Sequence, residues 1–127
     1  MVGNRIAKNI FYSSNPSKMS IFALYAGSNG VVTQSESNLF YFGSQGDGIV
    51  HLSKGPNVWS DARALSLADW QKMGYDFNSL VSNPLFSDPQ QDDYRLLPDS
   101  PALQLGFVPI DIDKVGRRDY SRAKSQR

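Results

Sequence analysis

The chain has no cysteine and a single histidine in 127 residues. The first absence excludes disulfides and every thiolate-bound metal. The second leaves only oxygen donors and one imidazole for a metal, and the acids do not follow EF-hand spacing, so no metal or cofactor is expected. Long apolar runs are missing too: nothing approaches the eighteen or so residues of a membrane helix, and no membrane partner is expected. The opening Met1–Asn9 has no apolar stretch of the kind a secretory signal carries. Gly43-Ser44-Gln45-Gly46-Asp47-Gly48 is glycine-rich, yet it lacks the lysine and the strand–helix setting of a phosphate-cradling loop. Net charge is only +1, unevenly spread: residues 60–116 carry nine acids and four bases, and 117–127 carry five bases and one acid. The basic end is read as a flexible, solvated tail rather than a nucleic-acid arm.

What is present is a globular composition, 40% hydrophobic and 20% charged, of a size for one domain. An internal repeat organises the first half. Asn9-Ile10-Phe11-Tyr12 recurs as Asn38-Leu39-Phe40-Tyr41, roughly 30 residues further on. A second apolar burst follows each copy, first Met19–Tyr25 and then Gly48–Leu52. Between them lie Ser13-Ser14-Asn15-Pro16-Ser17, Gly27-Ser28-Asn29-Gly30 and Gly43–Gly48, which are turn signals. No helical period fits between these strands. Short strands returning at this step, with no helix, suit a β-solenoid whose coils stack their strands in parallel ladders. Asn9 and Asn38 then fall at the same corner, where stacked amides can form a ladder. The rival all-β reading is a small antiparallel sandwich with Ser28-Asn29-Gly30 as a hairpin turn.

Beyond residue 53 the pattern changes. Lys54-Gly55-Pro56-Asn57 is a loop. Residues 66–73 predict the one substantial helix, with Ser66 as N-cap, Asp69 three residues on and Gly74 as its stop. Leu67, Trp70 and Met73 define its apolar face. The chain therefore divides into the last coils at 1–53, a capping segment at 54–116 and the tail at 117–127. The runs Asn83–Pro89, Asp93–Pro98 and Ser100–Phe107 are expected to anchor an irregular wrap.

In this second half the order is Ala68-Asp69-Trp70-Gln71, Gly74–Ser79, Asn83–Pro89, Asp93-Tyr94-Arg95-Leu96, Pro98–Leu103 and Leu105–Asp111. It resembles the C-terminal segment of right-handed parallel β-helix proteins of bacterial polysaccharide utilisation, which include glycoside hydrolases and polysaccharide lyases. The two Asn-apolar-Phe-Tyr bursts resemble the last rungs of the same proteins, and the resemblance spans residues 4–116. It implies an all-β fold: terminal coils of a right-handed parallel β-helix, one short helix and an irregular C-terminal cap. It also implies a secreted or periplasmic protein with a polysaccharide or oligosaccharide partner. Such proteins place many more coils ahead of this segment and carry their catalytic residues there, so the chain reads as a fragment and no catalytic residue carries over.

The residues themselves offer little chemistry. Sugar hydrolysis needs two carboxylates flanking the scissile bond. Asp76, Asp88, Asp92, Asp93 and Asp99 sit among turn residues, where aspartate ordinarily caps its own backbone. Asp47 and Asp61 lie nearer the rungs. His51 with Lys54 is the one pair that suggests a base beside a charge neutraliser. Trp59, next to Asp61, is the best sugar-stacking platform. Carbohydrate contact is thus assigned to Trp59, Asp61 and His51. The other readings are a freestanding carbohydrate-binding or adhesive module, and an intact small enzyme. An open first coil, with Ile6, Ile10 and Phe11 uncovered, should self-associate through residues 4–25 or else be only marginally stable as a monomer.

Overall fold

The computed structural model describes residues 3–14, 21–25, 32–42, 49–57, 60 and 62–116. Trp59, Asp61, Asp47 and the basic tail lie outside them. The strands are β1 (Asn4–Ala7), β2 (Ile10–Ser13), β3 (Phe22–Tyr25), β4 (Val32–Glu36), β5 (Leu39–Phe42), β6 (Val50–Ser53), β7 (Arg63–Leu65), β8 (Leu80–Val81), β9 (Phe86–Asp88) and β10 (Asp93–Leu96). Two short helices accompany them, α1 (Leu67–Lys72) and α2 (Pro101–Gln104). The chain is rich in β-strands arranged in small sheets.

The repeat in the sequence becomes pairing. β1 lies parallel to β4, β2 to β5 and β3 to β6. Ile10 is in register with Leu39, Phe11 with Phe40 and Tyr12 with Tyr41, each across 29 residues of sequence. No two of these six strands are joined as a hairpin, so the antiparallel sandwich does not describe them. Two ladders run past residue 53. Phe77 bridges Glu36 in parallel, and β8 adds to β5 with Leu39 on Leu80. The third ends differently, because β7 returns antiparallel to β6.

Alternation along the strands sorts the side chains. Phe11 and Phe40 belong to the core and stack at 5.2 Å, their planes nearly parallel at 6°. Tyr12 and Tyr41 stack at 5.7 Å on the opposite face, where the Phe86 ring meets Tyr12 edge-on. Phe22, Val32, Phe42, Ile49, Val50, Leu65 and Trp70 complete the buried cluster.

The helix forms where expected, and its packing differs in one respect. The Ser66 hydroxyl accepts the Asp69 N–H at 3.1 Å, and Gly74 at φ +95° follows its last turn. Trp70 is buried and Leu67 half-buried, but Met73 is half exposed. Tyr75 takes the place expected of Met73, its ring stacked on Trp70 at 4.1 Å. Two further expectations need correction. The fold has a second helix, α2, where Ser100 caps Ala102 and Pro101 occupies the first turn. The C-terminal wrap is not wholly irregular, since β9 and β10 pair antiparallel around a 3-10 turn at Pro89–Gln91 and the left-handed Asp92.

Candidate functional site

Two features concentrate polar or accessible chemistry, a buried corner and a surface groove. The corner begins with backbone shape. Lys8 and Ser37 both adopt φ 54°, each one residue ahead of a stacked asparagine. That left-handed step turns the chain from β1 into β2 and from β4 into β5. Asn9 donates from both its backbone N–H (2.9 Å) and Nδ2 (3.2 Å) to Asn38 Oδ1. Asn38 Nδ2 donates in turn to Asp76 Oδ1 at 2.8 Å. The amide ladder expected of Asn9 and Asn38 therefore exists and terminates on a carboxylate.

Asp76 was expected to cap its own turn; instead it is fully buried and gathers side chains from three segments. Ser35 Oγ (2.6 Å) and Trp70 Nε1 (2.7 Å) donate to Oδ2, while Asn38 Nδ2 and Ser79 Oγ (2.6 Å) donate to Oδ1. Its carbonyl accepts Gln71 Nε2 at 3.0 Å. A buried carboxylate without a cation is tolerable when every lone pair meets a donor, and charge-assisted bonds are the strong ones. The arrangement ties α1 to the coil corner. With no accessible surface it cannot meet a substrate, so its role is architectural.

The groove has a volume of about 650 Å³ and lies where the C-terminal segment passes the start of β2. Ile10, Phe86, Tyr94, Phe107, Ile110 and Val115 supply apolar walls, and Lys8 and Arg95 are its cations. Among the described residues no acid or histidine lines it. Arg95 is engaged, giving Nε (2.8 Å) and Nη2 (2.5 Å) to the two carboxylate oxygens of Asp93. That bidentate bond holds the Asp93 carboxyl well below the usual carboxylate range, so Asp93 cannot serve as a general acid near neutrality. Burial first, and then the Asp92 charge, raise the Tyr94 phenol, which makes it a poor base. The groove can hold apolar surface, and its described lining does not bring together a hydrolytic or eliminative pair.

Of the residues assigned to sugar contact, only His51 is described. It stands in β6 between Ala23 of β3 and Ala64 of β7, half-buried. No described residue hydrogen-bonds to its imidazole, and Lys54 is exposed beyond the strand end. Trp59 and Asp61 lie outside the described residues, in the connection from β6 to β7. Among the described residues no cluster of three acids or histidines could hold a metal. No helix among the described residues is long and apolar enough to cross a membrane. No family model, curated protein or solved structure matches the chain.

Proposed function

We propose that this chain is the closing segment of a right-handed parallel β-helix from a protein that acts on polysaccharides, and that it covers the end of a coil stack without catalysing by itself. The observation that carries the reading is the order of pairing. Three consecutive strands are met, in the same order and in parallel, by the three that follow. Antiparallel β7, the two-residue β8 and the Trp70 helix then end the series. Stacked asparagines at the corner and stacked aromatics at Phe11–Phe40 fit coils that superpose. The polysaccharide partner and an exported location come from the resemblance of residues 4–116 to such proteins. A buried Asp76 and a groove without acids agree with a segment whose work is structural.

Two measurements test this. The purified chain, offered polysaccharides of several backbone chemistries, should release no reducing ends or unsaturated products above background. Cleavage that disappears in His51→Ala would overturn the structural reading. Sequencing the DNA ahead of the Met1 codon should reveal an in-frame series of strands at the same step; unrelated sequence there would remove the fragment. Glycan-array retention lost in Trp59→Ala with an unchanged melting temperature would instead make the chain a binding module.

A further inference from the structure

We propose that the outer edge of β2 is a docking site for one more parallel strand, and that this strand places an asparagine on Asn9, an apolar residue on Ile10 and aromatic residues on Phe11 and Tyr12. This rests on the coil-stack reading and adds the identity of the contact.

Three series of contacts run down the corner, and each stops at the same level. In the first, Leu80 N–H donates to the Asn38 carbonyl and Leu39 N–H to the Asn9 carbonyl, both at 2.9 Å. Ile10 is the register partner of Leu39, so its N–H is the next in line and points off the edge of β2. In the second, Asn38 N–H donates to Ser79 Oγ at 2.8 Å and Asn9 N–H to Asn38 Oδ1 at 2.9 Å. Asn9 Oδ1, the next acceptor, receives nothing from the described residues. In the third, Phe11 stacks on Phe40 and Tyr12 on Tyr41, and the other rings that touch the pair, Phe22 on Phe11 and Phe86 on Tyr12, meet them edge-on without continuing the stack.

Any residue but proline can offer the carbonyl and the backbone N–H, and asparagine adds a side-chain amide donor. The carbonyl would meet Ile10 N–H, and the backbone N–H and side-chain amide would meet Asn9 Oδ1. Asparagine does so with the geometry already present between Asn9 and Asn38. A second copy of this chain cannot supply the strand as folded. Its own two Asn-apolar-Phe-Tyr runs have the required edge occupied, by β5 and by β8. The occupant is therefore a strand whose following edge is free, as in a coil that precedes β2. Main-chain bonds give such edge addition its affinity, and alternate side chains give it specificity.

The test adds a strand to the whole chain. A Gly-Asn-Ile-Phe-Tyr-Ser segment is fused ahead of Met1 through a flexible Gly/Ser linker, which raises its effective concentration to the millimolar range. Hydrogen exchange is read at a concentration where the protein is monomeric, beside a fusion carrying leucine for the added asparagine. The asparagine strand should protect the Ile10 and Tyr12 amides about tenfold over the unfused chain, and the leucine strand clearly less. Three results would overturn the proposal: equal protection by the leucine strand, protection by neither, or the same protection in the unfused chain once it dimerises. The polysaccharide and upstream-DNA tests judge the closing-segment reading separately, since either can fail while the other holds.

Discussion

The Asp76 carboxyl ties three segments of the chain together. Its four donors come from residues 35, 38, 70 and 79, and the Ser35 hydroxyl is 41 positions away in sequence. No local pattern around Gly74-Tyr75-Asp76 announces such partners, so the sequence alone places it among the turn aspartates. Asn9 and Asn38 were legible because they recur in matched tetrapeptides. Asp76→Asn would set an amide N–H against donors that cannot all turn to accept. The expected loss is about 3 kcal/mol in urea unfolding; a loss under about 1 kcal/mol would mean that the corner does not depend on the carboxylate. Asp93 makes a different prediction. The Arg95 hydrogen bond lowers its pKa below the usual 3.8. For an acid depressed on folding, the contribution to stability is present above the unfolded pKa and is lost as pH falls through the folded one. Carboxyl NMR should show Asp93 still ionised when exposed acids have titrated, and Arg95→Ala should restore an ordinary midpoint.

At the scale of elements, α1 was readable in detail because its cap, its apolar spacing and its glycine stop all lie within nine residues. Tertiary competition for the Trp70 ring was not readable, and Tyr75 displaced Met73 from the core. The β9–β10 hairpin escaped notice because Asp88-Pro89-Gln90-Gln91-Asp92 lacks the Asn-Gly signature and turns instead through a left-handed Asp92. Helix α2 carried a recognisable Ser-Pro start, yet a four-residue helix has no period to detect. Trp70→Ala removes a buried ring, its stacking on Tyr75 and a donor to Asp76, and should cost about 3–5 kcal/mol. Ser66→Ala, which loses only the cap, should cost about 1 kcal/mol. Thermal unfolding of both variants checks the ranking; near-equal losses would mean that the helix is held by its end rather than by its face.

Across the whole molecule, the two ends differ. The far end is closed by β7, β8 and α1, whereas β1, β2 and β3 each have one strand partner among the described residues. Val108, Ile110, Ile112 and Val115 add an exposed apolar stripe beside the groove. Self-association, expected through residues 4–25, therefore has a second surface available. Ile110→Asp should weaken association about tenfold in sedimentation, given what burying one such side chain contributes, with little change in melting temperature. An unchanged association constant would place self-association wholly at the strand edges. The buried corner also sets which alignments of the chain survive. Sliding β5 by one residue along β2 would turn Phe40 outward and carry Asn38 away from Asp76, leaving a buried carboxyl oxygen short of a donor. Apolar stacking alone would accept several such misalignments at modest loss, but the carboxylate accepts one. Asp76 thus acts as a proofreading device for register, penalising wrongly threaded chains more heavily than it favours the right one.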